Sequence, residues 1–121
     1  MTTEKSLPRV MRFDDLAFQP RQEKPEMAQL AEIVGEEDGT PLGAGYARLN
    51  QARIEWTVLY DEVVTVIEGS MRIHTPQGIL EAGPRDCVWL PAGTPLIYEA
   101  ESALIHYCLH PSNWASARTA A

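Results

Sequence analysis

From Gly43 to His110 the chain runs as short β-prone segments punctuated by Gly, Pro and Asn, and nowhere there do apolar residues keep helical spacing for the roughly 10–12 residues a helix needs. That texture restricts the chain to an all-β fold, because such segments bury their apolar faces only against one another, in a sandwich or a barrel. Strands are expected over 45–49, 53–59, 62–68, 71–74, 78–81, 87–90, 96–100 and 104–110. Three joints separate several of them: 68–70, 75–78 and 91–95. There Gly69 and Gly78 permit positive φ, while Pro76, Pro91 and Pro95 fix φ and withdraw a donor at strand ends.

The upstream part is less regular. Pro20 and Pro25 interrupt any element between them, so residues 1–40 are expected as a loop-rich N-terminal arm at the barrel edge or a dimer contact. The barrel itself is expected over 41–114 and a small-residue tail over 115–121. Between Glu26 and Val34 the apolar positions fit a helix as well as a strand, and periodicity leaves the segment open.

A chain of 121 residues holds one real core and not two. Seventeen acidic against ten basic residues give a formal charge of −7, and the Lys and Arg residues are scattered, which excludes a nucleic-acid-binding stripe. No apolar run approaches the ~20 residues of a bilayer span, and the first residues lack a signal-peptide apolar core, so a cytoplasmic protein without a membrane partner is expected. Cys87 and Cys108 lie far apart among apolar neighbours, and two reduced, buried thiols are expected, with a lone disulfide between them left open by the sequence.

Two blocks carry a family resemblance. Tyr60-Asp-Glu-Val-Val-Thr-Val-Ile-Glu-Gly69 resembles the first cupin motif, with Glu62 and Gly69 at its spacing, and Gly83-Pro-Arg-Asp-Cys-Val-Trp-Leu-Pro-Ala-Gly93 resembles the second, with Asp86, Pro91 and Gly93. Leu42-Gly-Ala-Gly-Tyr46, Trp56-Thr-Val-Leu-Tyr-Asp-Glu62 and Pro111-Ser-Asn-Trp114 are similar to the cupin domain of the ethanolamine utilisation EutQ proteins. The resemblance implies a cupin double-stranded β-helix, an RmlC-like jelly roll forming a single small barrel, and a homodimer. In the family's metal form two histidines precede the glutamate and a third follows Pro-x-Gly; aligned this way, Glu55, Thr57 and Leu96 occupy those places. Leu96 offers no lone pair. A barrel without its usual metal centre and without a cofactor is therefore expected, although Glu55 and Glu62 as a carboxylate pair leave weak binding of a hard ion open.

The resemblance makes the face carrying Glu55 and Thr57 the barrel interior, since residues i and i+2 share a face, with Glu62 joining from the next strand. Leu96 and Tyr98 share a face by the same parity, and Tyr60 is placed to cap the pocket. His106 is placed either at the barrel mouth or on an outer face. The expected ligand-binding set is Glu55, Thr57, Tyr60, Glu62, Leu96, Tyr98 and His106, and the candidates for catalysis are Glu62, His106 and Tyr98. Trp56 is expected on the opposite face, in packing, as are Trp89 and Trp114.

A glutamate inside a Val-rich strand is costly unless partnered, and a buried carboxyl pair raises the pKa of one member. The leading expectation is a barrel that binds a small polar metabolite, in a setting linked to ethanolamine utilisation. Whether the protein is an enzyme stays open. The rivals are a cupin enzyme, hydrolase, isomerase or acetate-kinase-like, with Glu62 as acid, base or ligand, and an assembly protein whose barrel is filled by side chains. No phosphate loop and no nucleophile elbow occur in the sequence.

Overall fold

The computed structural model describes residues 7–21 and 24–115. Eight strands form one strongly curled, antiparallel sheet: β1 (Gln19–Pro20), β2 (Ala28–Val34), β3 (Gly43–Thr57), β4 (Asp61–Gly69), β5 (Met71–Thr75), β6 (Gly78–Ala82), β7 (Cys87–Leu90) and β8 (Pro95–His110). The all-β expectation holds, and the open segment before Gly35 is strand β2. Two pairs of expected strands are each one long strand. Residues 45–49 and 53–59 fall largely within β3, and 96–100 and 104–110 within β8.

β3 and β8 run antiparallel along their whole length, from Gly43 opposite Leu109 to Thr57 opposite Pro95. On its other edge β8 changes partner, pairing with β5 near Tyr98 and with β4 from Ala103 to His110. One strand shared between two partners curls the sheet around a common interior. Ile54, Val58, Val64, Val66, Met71, Ile73, Leu90, Leu96 and Ile105 meet there.

The two long strands switch faces midway. Up to Leu49 the odd residues of β3 are buried; after Asn50 and Gln51 the buried ones are Ala52 and Ile54. Gln51 takes a positive φ of 45° and supplies the turn in the backbone. β8 switches opposite it, from Leu96 and Ala100 to Ala103, Ile105 and Leu109, with Glu101 and Ser102 exposed between them. The paired switches keep both strands in register while the sheet bends.

The residues expected as an arm lie along the sheet edge through β1 and β2. Phe13 meets the Tyr46 ring edge-on, and Arg48 stacks over Phe18 with its guanidinium 4.7 Å from the ring centroid, so this segment covers part of the outer face. Two expectations about packing are corrected. Cys87 is exposed and Cys108 half-buried, both as free thiols, because Val88 and Leu90 take the inner positions of the short β7. For the same reason Trp89 points outward, 59% exposed. The tail from residue 116 lies outside the described residues.

Gly69 ends β4 at φ 78°, and a Cβ there would run into the carbonyl oxygen of Ser102. Gly69→Ala is expected to cost about 1–3 kcal/mol through both effects, read as a lower midpoint in urea at unchanged m-value. An unchanged midpoint would show that this turn tolerates a side chain.

Candidate functional site

Glu62 is the buried charged residue of the described core, 6% exposed. It is the second residue of β4, where alternation turns Glu62, Val64 and Val66 inward and leaves Asp61, Val63 and Ile67 outside. Its Oε1 accepts a hydrogen bond of 3.0 Å from the Tyr98 hydroxyl. Tyr98 stands on β8 opposite Ile54 of β3 and Ile73 of β5, a placement that holds its ring against aliphatic side chains.

Burial pushes the Glu62 carboxyl up to about 7, and the Tyr98 hydrogen bond, which favours the ionised form, opposes this only in part. Tyr98→Phe is expected to move the Glu62 pKa above 7. Following the Glu62 side-chain carboxyl carbon by NMR through a pH titration measures it; a pKa that stays or falls would mean that Tyr98 does not support the carboxylate.

Glu62 and Tyr98 line a cavity of about 590 Å³ together with Tyr60, Tyr107, Trp56 and Trp114. Burial and the nearby Glu62 charge push the Tyr60 and Tyr98 hydroxyls above their usual range, and burial with the charges of Glu32 and Glu62 pushes Tyr107 to about 12. All three phenols are therefore neutral donors and acceptors at physiological pH. Tyr107 has room because Gly45 lies behind it: a Cβ on Gly45 would come within 2.6 Å of the Tyr107 hydroxyl. Trp114 packs its ring 5.1 Å from Tyr60 and 5.8 Å from Trp56, which draws the C-terminal segment into the cavity wall. The Trp56 indole N–H approaches the Tyr60 hydroxyl, enough to favour its phenolate slightly, without the geometry of a hydrogen bond.

The remaining polar groups come from the edge of the sheet. Glu32 of β2 and Arg21, just beyond β1, both line the cavity. The Arg21 guanidinium lies 5.5 Å from the centre of the Trp56 ring. Glu32 is raised above the usual carboxylate range by partial burial and then by Glu37 and Asp38.

Several expected site residues stand elsewhere. Glu55 and Thr57 are exposed on the outer face of β3, because the switch at Gln51 turns Ile54 and Trp56 inward in their place. With Leu96, Ile97 and His74 they border a separate, shallow depression, so Glu55 and Glu62 do not form a carboxylate pair. Leu96 is buried in the core but does not line the Glu62 cavity. His106 faces outward against Tyr46, ring centres 5.1 Å apart, and its inner neighbours Ile105 and Tyr107 line the cavity. Desolvation lowers its pKa, which favours the neutral ring.

Tyr60, Glu62 and Tyr98 are thus brought together as expected, and Trp56, Tyr107, Trp114, Arg21 and Glu32 join them unforeseen. A signal for Trp56 was present: Ala52, Ile54 and Trp56 are apolar while Arg53, Glu55 and Thr57 are polar. Arg21 and Glu32 come from a segment whose structure periodicity could not settle.

No group of three or more His, Cys, Asp or Glu side chains converges to hold a metal ion among the described residues. No described helix is long and apolar enough to cross a membrane.

Comparison with known proteins places this geometry. A crystal structure of ethanolamine utilisation protein Q from Salmonella typhimurium superposes with a TM-score of 0.80 at 25% identity, covering 86% of each chain. The polyketide cyclase RemF from Streptomyces resistomycificus shares the fold alone, with a TM-score of 0.74 at 17% identity over 87% of this chain and 80% of its own. In sequence, the acetate kinase EutQ of Salmonella typhimurium is 28% identical over 94 residues, 77% of this chain and 41% of the relative, so the chain spans about two fifths of that protein's length. The family model of the ethanolamine utilisation protein EutQ matches residues 10–116, and with the cupin barrel and its inward Glu62 in place, the chain belongs to the EutQ family.

Proposed function

We propose that this protein is a cupin that binds a small polar metabolite inside its barrel, with Glu62 as the anchoring group, in a setting linked to ethanolamine utilisation. The observation that carries the reading is the carboxyl of Glu62, a residue only 6% exposed, at the wall of a cavity large enough for a small metabolite, hydrogen-bonded on one oxygen only among the described residues. A cavity of this volume argues against an assembly protein with a filled barrel.

Screening small amines, polyols and carboxylates by NMR tests the reading. A ligand is expected to shift the resonances of Tyr60, Glu62 and Tyr98, and Glu62→Gln is expected to weaken it about 10–100-fold, the worth of a hydrogen bond to a charged group. Binding indifferent to Glu62→Gln would remove the anchor from the proposal.

A second reading, an enzyme in which Glu62 moves a proton, is favoured by one observation. Burial holds that carboxyl near 7, where an acid and its base are both populated at physiological pH. The phosphoryl transfer named for the curated relatives has less support: Arg21 is the single Lys or Arg among the described lining residues, and a phosphate chain is usually neutralised by several cations.

The family's expected homodimer is supported by the outer face of β4 and β7, where Val63 and Trp89 are cross-strand neighbours and both are exposed. Trp89→Glu is expected to convert a dimer to a monomer in light scattering; an unchanged mass would place any dimer contact elsewhere.

A further inference from the structure

Among the described lining residues the charges do not balance once Glu62 ionises. The carboxyls of Glu32 and Glu62 line the cavity with one cation, Arg21, whose guanidinium already rests against the Trp56 ring at one wall. An additional cation brings these groups to neutrality, whereas an anion adds to the excess. Aromatic rings of Tyr60, Trp56, Tyr107 and Trp114 line the same space, and such rings attract positive charge through their π faces. Acceptors are at hand as well: Oε2 of Glu62 has no protein hydrogen bond among the described residues, and the tyrosine hydroxyls are neutral.

Resting on the binding reading above, we infer that the ligand is a small organic ammonium compound whose nitrogen docks on the Glu62 carboxylate and whose carbon body lies against the aromatic wall. Uptake is then linked to a proton. The empty site holds Glu62 protonated about half the time near pH 7, because burial dominates over the Tyr98 hydrogen bond. A cation on Oε2 favours the carboxylate, so binding at lower pH expels the proton to solvent. The titratable and charged groups that line the cavity with Glu62 among the described residues are Tyr98 and Tyr107 from β8, Tyr60 from the β3–β4 turn, Arg21, and Glu32 from β2. The tyrosines are pushed upward and stay neutral through this range, which leaves Glu62 and Glu32 as the groups to separate.

Calorimetric titration of the full chain with 2-aminoethanol, tetramethylammonium, propionate and glycerol, between pH 5.5 and 8.5 in buffers of different ionisation enthalpy, decides the matter. Expected are binding of one or both ammonium compounds, a Kd about tenfold weaker for each pH unit below 7, and release of nearly one proton per ligand at pH 6. The proton release should vanish in Glu62→Gln and persist in Glu32→Gln. Preference for propionate or glycerol, lost in Glu62→Gln, would overturn the ammonium inference while leaving the binding reading intact. No binding by any of the four would overturn the ammonium inference, and silence across the wider metabolite screen would take the binding reading with it. Ammonium binding without proton release, or with a release removed by Glu32→Gln instead, would overturn Glu62 as the docking group.

Discussion

At pH 8 the Glu62→Gln protein is expected to unfold at a free energy about 3 kcal/mol above that of the wild type, and at pH 4 the two should nearly coincide. The cause is the native pKa of about 7 against an ordinary value of 4.5 for an exposed glutamate. Because the folded-state pKa is the higher one, the native protein holds the extra proton between these values. Stability from this group is fully present below about 4.5, falls as pH rises from there to 7, and changes no further above 7.

Glutamine keeps the shape and removes the titration, so subtracting the two profiles isolates Glu62 from every other carboxyl. Glu99 shows why the subtraction matters. Hydrogen bonding from His74, with Arg72 and Arg53 alongside, holds its pKa below the usual range, so its contribution runs the other way and fades as acid protonates it. Urea unfolding at half-unit pH steps is the measurement. Parallel profiles for the two proteins would show that Glu62 is hydrated in the native state and is not the desolvated group described above.

The largest loss from a single truncation is expected at Ile73, which is fully buried in the middle of β5. Ile73→Ala removes a branched side chain from a closed core and should cost 2–5 kcal/mol, a large share of a typical domain stability of roughly 5–15 kcal/mol. Its cross-strand partner on β8 is Tyr98, so the void opens beside the ring that donates to Glu62. Core and site should therefore respond together: the unfolding midpoint drops, and the Glu62 pKa moves as Tyr98 loses its backing. Ile79→Ala supplies the contrast. Ile79 is 57% exposed on β6, and its loss should fall within about 0.5 kcal/mol. Equal costs at the two positions would contradict the burial of β5 described above.

The sequence itself determined the class of fold. Gly- and Pro-punctuated β segments, with no helical periodicity long enough to compete, admit a curled antiparallel sheet and little else, and the spacing from Glu62 to Gly69 and from Asp86 to Gly93 placed the two motifs correctly within it. The sequence also singled out Glu62, since a charged residue heading the run Val63-Val-Thr-Val-Ile67 invites a partner. Tyr98 was within reach of the same parity reasoning.

What only the tertiary structure decided was how the two halves of each long strand face relative to one another. Period-two alternation fixes relative facing within a regular strand but carries no memory across a bend. Gln51 bends β3 and residues 101–102 bend β8, which put Trp56 and Tyr107 into the cavity and turned Glu55, Thr57 and His106 out of it. Arg21 and Glu32 reach the same cavity through strand pairing across distant parts of the chain, a long-range condition that no local pattern encodes.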